Sequence, residues 1–300
     1  MTGWYMYIDT HAHYNLPTFD EDRDETLGRV RTAGVEKLIC PAISFESNTQ
    51  MMECLAGYDN VYFAVGIHPK RVCPIRGGKR AGRDVPSLSK LQSGYEERAR
   101  MLARLEGMLA AVAELASSGG RVVAVGETGL DYSLNPSEFE RRVQMAAFRK
   151  QVEIALKARL PLVLHIRDAH RDAAKILHMY RTELQGSVHC FSLGPDEAKE
   201  YLAMGLSLGI GGKVSYEGNV GLREAVAIAP LDRILLETDA PYVLPSGFPF
   251  RRNDSTAIPM IAREVARLRG ISVEEVAHAT TANAERVFFE LGTAKGTVAV

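Results

Sequence analysis

The segment IDTHAHYN, residues 8–15, places Asp9, His11 and His13 at alternate positions. In an extended segment residues two apart point the same way, so these three polar groups share a face. Two imidazoles on one face can ligate a divalent ion. Yet H-x-H is a common spacing, and a single buried His is more often structural than ligating. The rest of the chain decides. His68 follows in GIHP, Glu127 in VGETGLDY, His165 in LVLHIRDAH, His189 in SVHCFS and Asp239 in LLETDAPY, each at or near the end of an apolar run. His11, His13, Glu127, His165, His189 and Asp239 form the expected metal-ligand set, because imidazole and carboxylate are what a borderline divalent ion takes. The set is too large for one closed site and predicts two divalent ions. Glu127 can bridge them, with His11, His13 and Asp239 on one ion and His165 and His189 on the other. Water held between two such ions is acidified toward neutrality, and Asp239 can take its proton. The chemistry expected is metal-assisted hydrolysis. Magnesium prefers oxygen ligands, whereas four imidazoles favour zinc or manganese.

The elements that must position these residues can be read from hydropathy. Apolar runs fall at 5–9, 35–42, 61–67, 121–127, 160–166, 186–191, 206–211 and 233–238. Several are nearly continuous Val, Ile, Leu and Ala, as in parallel strands buried on both faces. Helical patterns separate them at 22–33, 46–56, 95–116, 137–158, 169–184, 195–204 and 222–229, and two more follow at 257–269 and 272–291. Ser137 with Glu140 and Ser272 with Glu275 have capping-box spacing. The pattern predicts an α/β fold, a (β/α)₈ TIM barrel with extra C-terminal helices, in which catalytic groups gather at the C-terminal ends of the strands. No G-x-G-x-x-G follows the first run, which disfavours a dinucleotide-binding sheet. The expected organisation is one hydrolase domain over 1–291 and a tail at 292–300. The stretch 70–94, rich in Gly, Pro, Ser and Arg, reads as a long loop.

Composition narrows the class further. With 46% apolar and 24% charged residues and a formal net charge of -1, nothing demands a nucleic-acid partner. The four cysteines form no C-x-x-C pair, against a zinc ribbon or a disulfide framework. No segment is long and apolar enough to span a bilayer, and the N-terminus lacks a secretory pattern, so a cytoplasmic protein is expected. Charge is nonetheless uneven. Residues 70–83 hold Lys70, Arg71, Arg76, Lys79, Arg80 and Arg83 and no acid, and Arg251 and Arg252 follow the eighth run. Both segments leave the predicted catalytic face and would give it positive charge suited to phosphate. Asp9, Asp131 and Glu237 could orient ligands, although Asp9 could equally be a barrel-bottom carboxylate. His170 could reach substrate, whereas His178 reads as solvated and His278 as structural.

The ordered set IDTHAHYN, GIHP, VVAVGETGLDY, LPLVLHIRDAH, VHCFS, LLETDAPY and GISVEEVAHATTANAERVF resembles the TatD family of metal-dependent deoxyribonucleases, within the amidohydrolase-like barrels. The resemblance spans residues 8–288. It implies a TIM barrel whose metal ligands fall on the same six residues, with Asp239 doubling as base and Glu127 and His68 completing the catalytic set. It implies 3′-to-5′ exonuclease action on single-stranded DNA or RNA, usually with magnesium. His68, Lys70, Arg167 and Arg252 are the expected substrate-binding residues. Two departures stand out. Where the family often reads H-P-H, Lys70 replaces the second His and leaves a point charge for phosphate. Where it commonly reads Arg-Asn-Glu-Pro, this chain has Arg252-Asn253-Asp254-Ser255. Related barrels hydrolyse amides and esters, some on misacylated tRNA, so a deacylase or amidohydrolase is the second expectation and a non-catalytic metal-binding scaffold the third. The full ligand set speaks against the scaffold. Oligomeric state is not legible.

Overall fold

The computed structural model describes residues 5–72 and 88–290. Eight strands, β1 (Tyr7–Asp9), β2 (Val35–Pro41), β3 (Val61–Val65), β4 (Val122–Asp131), β5 (Leu162–Arg167), β6 (Gly186–Val188), β7 (Ser207–Ile210) and β8 (Ile234–Leu236), lie side by side in chain order. Every adjacent pair is parallel. The last strand meets the first through loop backbone. Thr10 donates to the Leu236 carbonyl from its N–H and its hydroxyl, the Asp239 N–H donates to His11 O at 2.8 Å, and the His13 N–H to Ala240 O at 2.7 Å. The result is a nearly closed TIM barrel.

Between and after the strands lie α1 (Arg23–Thr32), α2 (Phe45–Cys54), α3 (Pro69–Val72), α4 (Leu88–Ser117), α5 (Glu138–Ala158), α6 (His170–Leu177), α7 (Pro195–Ala203), α8 (Val220–Ile228), α9 (Ile258–Arg269) and α10 (Val273–Ala284). Ser137 and Ser272 cap α5 and α10 with the reciprocal bonds their spacing predicts. Among the described residues no helix is long and apolar enough to cross a membrane.

The strands alternate between two buried surfaces. Leu38, Cys40, Phe63, Val65, Leu162, Leu164 and Leu236 pack toward the helices. Ile8, Ile39, Ala64, Ala124, Val163 and Leu235 form a separate cluster inside the barrel, with Val287 and Phe288 from the π-helical turn Glu285–Phe289 packed against it. The parity that sends Val163 and Leu235 inward also sends inward the residues two further on, His165 and Glu237. An apolar floor therefore lies beneath a polar mouth.

Several boundaries differ from the sequence reading. The stretch 70–94 is helical at both described ends, in α3 and in α4, and residues 73–87 lie outside the described part, as does the tail from 291. The predicted helix 169–184 stops at Leu177 and passes into a 3₁₀ turn. His189 lies just beyond β6, not within it. The largest difference is in β4, which does not end at Glu127 but continues to Asp131. Its register against β5 breaks between Val125 and Thr128, which face Leu162 and Leu164, so Gly126 and Glu127 lie in a bulge. A bulge re-aims a side chain without ending the strand. Two glycines permit it. A Cβ on Gly126 would lie 2.7 Å from Val163 O, and one on Gly129, where φ is +144°, would lie 2.0 Å from His165 O. Gly129→Ala is therefore expected to cost at least ~2 kcal/mol, from the backbone conformation and the displaced β5 together. Thermal unfolding of the purified variant checks this, and an unchanged midpoint would contradict the close packing of β4 on β5.

Candidate metal centre

The strand ends bring His11, His13, His68, Glu127, His165, His189 and Asp239 into one cluster, all partly or fully buried. Around one point, His11 Nε2 lies 3.2 Å from His13 Nε2 and 3.7 Å from both Asp239 Oδ1 and Glu127 Oε2. His13 Nε2 lies 3.3 Å from Asp239 Oδ1 and 3.9 Å from Glu127 Oε2. Four ligand atoms around an ion at bonds of 2.0–2.2 Å are separated by about 3.3–3.6 Å, so this donor set fits a divalent cation. The other oxygen of Glu127 faces different partners: His165 Nδ1 at 2.7 Å, His189 Nε2 at 3.1 Å and His68 Nε2 at 3.6 Å.

Asp131 joins this second side. Its Oδ2 lies 2.8 Å from His165 Nε2 and 3.1 Å from Lys70 Nζ, and His68, Asp131 and His165 form a third group with metal-ligand spacing. The apolar run ends at Glu127, which hides from the sequence that β4 carries this carboxylate to the rim. His189 stacks on His11 with centroids 3.7 Å apart and shares Glu127 with it. His165 and His189 thus share Glu127 Oε1, while His189 also lies against His11 and His165 also meets Asp131. Glu237 approaches His189 Nδ1 at 3.4 Å and accepts the Cys190 N–H, which orients that ring with Nε2 toward the centre.

Charge states follow from burial and neighbours. Burial drives His11 well below the ordinary imidazole range, and the nearby His189 adds to it, so the ring is neutral and fit to ligate. Burial also lowers His68, to about 4. For Glu127 burial raises the carboxyl, but His68, His189 and the bond from His165 outweigh it and hold it well below the carboxylate range. Burial opposes protonation of His165 and His189, yet bonds to Asp131 and Glu127 raise the first, and Glu127 with Glu237 raises the second well above its ordinary value. Without metal, the His189 imidazole carries a proton that an ion must displace. Metal uptake near pH 7 is expected to release protons, visible as a calorimetric heat that scales with buffer ionisation enthalpy. A buffer-independent heat would refute this protonation state.

Residues 8–289 match the family model described as TatD related DNase. The chain belongs to the TatD family. It is 34% identical to the 3′-5′ ssDNA/RNA exonuclease TatD of Cronobacter sakazakii, over 94% of this chain and 98% of that protein. It is 32% identical to the uncharacterized metal-dependent hydrolase YabD of Bacillus subtilis, over 94% and 99%. Among solved structures, the TatD homolog YjjV of Escherichia coli K12 aligns with a TM-score of 0.77 at 28% identity, covering 94% of this chain and 97% of that one. The protein is a TatD-family metal-dependent hydrolase.

Other expected site residues of this TatD-family chain lie as follows. Asp9 is not aimed at the cluster. Its Oδ1 accepts the His11 and Thr238 N–H groups, and its Oδ2 accepts the Thr238 and Ser255 hydroxyls. Arg167 ends β5 with an exposed side chain. Arg252 is not free for substrate: it pairs with Asp22 at 2.5 Å, donates to Thr18 O, and lies over the Phe19 ring. Its neighbours are also internal supports. Buried Asn253 donates to the Thr238, Tyr242 and Val243 carbonyls, Asp254 accepts the Thr256 N–H, and Ser255 links Asp9 to Tyr14. His170 is held by Tyr201 and Glu200, and exposed His178 meets the same Glu200. Neither belongs to the centre.

Proposed function

We propose that this hydrolase cleaves phosphodiester bonds of single-stranded nucleic acid, DNA and also RNA, from the 3′ end, with two divalent ions in the centre. The observation that carries the two-ion reading is the divided Glu127 carboxylate, one oxygen facing His11 and His13 and the other facing His165 and His189. His11, His13 and Asp239 would hold one ion with Glu127 Oε2. His165 and His189 would hold the other with Glu127 Oε1, and Asp131, on the far nitrogen of His165, would orient that ring. Magnesium, manganese and zinc are all candidates, and the imidazole-rich donor set suits the latter two better. Bound divalent ions supply positive charge for phosphate oxygens and acidify a water.

The chain's own groups do the rest. Asp239 is the most open carboxylate of the cluster, its side chain 17% exposed against 4% for Glu127, and it would accept the water's proton. His68 Nδ1 accepts the Lys70 N–H at 3.1 Å, which leaves the proton of the neutral ring on Nε2, facing the centre. His68 therefore donates a hydrogen bond to substrate oxygen. Lys70 and Arg167 place positive charge on the same side and can hold phosphate. Those donors and the named activity of the Cronobacter relative support a phosphate substrate.

The test is nucleotide release from 5′-labelled single-stranded DNA and RNA with magnesium, manganese or zinc. A ladder shortening from the 3′ end is expected, absent with chelator and in Asp239→Asn. Intact strands after incubation with folded, metal-loaded protein would sink the nuclease reading and direct the search to acyl and amide substrates.

A further inference from the structure

An exposed Tyr on a soluble protein ordinarily needs no explanation. Tyr242 differs because its backbone is fixed while its ring is not covered. The ring is 51% exposed. It stands edge-on to His13, with centroids 6.2 Å apart and planes at 65°. The backbone beneath it is tied at both ends. The Tyr242 N–H donates to Asp239 O at 2.8 Å, and the side chain of Asn253 donates to Tyr242 O at 2.6 Å and Val243 O at 3.1 Å. Val243 has φ +52°, a left-handed conformation that a β-branched residue rarely adopts. Strain of this kind persists only where surrounding structure enforces it, and it gathers at sites that use it. Here buried Asn253 enforces it, and the outcome is a flat aromatic face held at the mouth, one imidazole away from Asp239.

We propose that Tyr242 is a positioning residue that stacks on an unpaired nucleobase flanking the scissile phosphate. The inference rests on the nuclease reading above and adds the group that recognises the base. In a nucleotide only the sugar separates base from phosphate, so a phosphate at the centre brings its base to the ring beside His13. Aromatic stacking accepts any base because every base has a π-face. It also requires that face to be uncovered, which a base inside a duplex stack cannot offer. Tyr242 therefore favours single-stranded ends without reading sequence.

The test compares three single-stranded deoxyoligonucleotides: one intact, one lacking the 3′-terminal base and one lacking the penultimate base. Wild type is expected to lose roughly ten- to hundred-fold in kcat/KM, chiefly through KM, on one of the two abasic strands. Tyr242→Leu should show that loss on the intact strand and no further loss on the abasic one, whereas Tyr242→Phe keeps the ring and should behave as wild type. Metal content measured in parallel should be equal in all three proteins. Equal loss by Tyr242→Leu on every strand, or reduced metal content, would mean that the ring merely supports His13 and would overturn the proposal. Wild type that cleaves all three strands equally would overturn it too. Wild type that cleaves none would overturn the nuclease reading instead.

Discussion

Glu127→Gln is expected to lower kcat/KM by roughly a hundred- to several-thousandfold and to abolish the stabilisation that divalent metal gives the protein. The substitution keeps the shape of the side chain and an acceptor for His165, but removes the one charge that faces both halves of the cluster. Removing one partner of a buried charged network costs about 3–5 kcal/mol, and each 1.36 kcal/mol is tenfold in rate or affinity. The loss should fall on the metal-loaded state. In the apoprotein, His189 can release its proton once Glu127 no longer holds it, so the variant should fold. The measurement is the thermal midpoint with and without excess manganese, beside activity. Wild type should rise with metal, as any ligand that binds only the folded state requires, and Glu127→Gln should not. A variant that keeps both the metal-induced rise and its activity would show that the carboxylate joins nothing.

The bulge at Gly126 and Glu127 explains why this residue can play that part. A regular strand would send Glu127 to one side of the sheet by parity. The break in register between Val125 and Thr128 turns it into the mouth, and the strand then resumes, carrying Asp131 to the rim, where it meets His165 and Lys70. One strand thus supplies two carboxylates to the same mouth at different heights.

That detail also marks where sequence reading succeeds and where it stops. The eight strands are legible because burial on two faces makes them nearly continuous apolar runs, and polar groups at their ends are conspicuous against them. His11, His13, His68, Glu127, His165, His189 and Asp239 were all legible in this way. Thr128-Gly129-Leu130-Asp131 reads as a turn because glycine and polar residues usually end strands, and nothing local reveals that Gly129 is there to let β4 lie against His165. The partners of Arg252 are equally hidden. Asp22 is 230 positions away, and charge alone cannot tell an Arg aimed at substrate from one tied inside the fold. Alternation placed Asp9 beside His11 and His13, but β1 ends at Asp9, and beyond the strand the rule of two no longer governs direction.

Asp9→Ala is expected to cost about 3–5 kcal/mol of folding stability. The fully buried carboxylate accepts four hydrogen bonds: from His11 N at 3.0 Å, Thr238 N at 3.1 Å, and the Thr238 and Ser255 hydroxyls at 2.6 Å each. It joins the ends of β1 and β8 to the segment before α9, and so sets the relative placement of His11 and Asp239. Alanine leaves two buried N–H groups without an acceptor, at about 1–3 kcal/mol each. Asp9→Asn keeps an acceptor for both and should lose less, so denaturant midpoints should rank wild type above Asn above Ala. Burial raises the Asp9 carboxyl to about 7, while bonds from Ser255, Thr238 and His11 pull the other way. An unfolded Asp titrates near 3.9. Between these values the folded state holds a proton that the unfolded state has lost, so this group's contribution to stability falls as pH rises across the window. The Asn variant lacks that component, and its deficit against wild type should shrink from pH 4 to pH 7. A constant deficit would mean that Asp9 is ionised throughout, and a wild-type midpoint for Asp9→Ala would mean that the barrel closes without it.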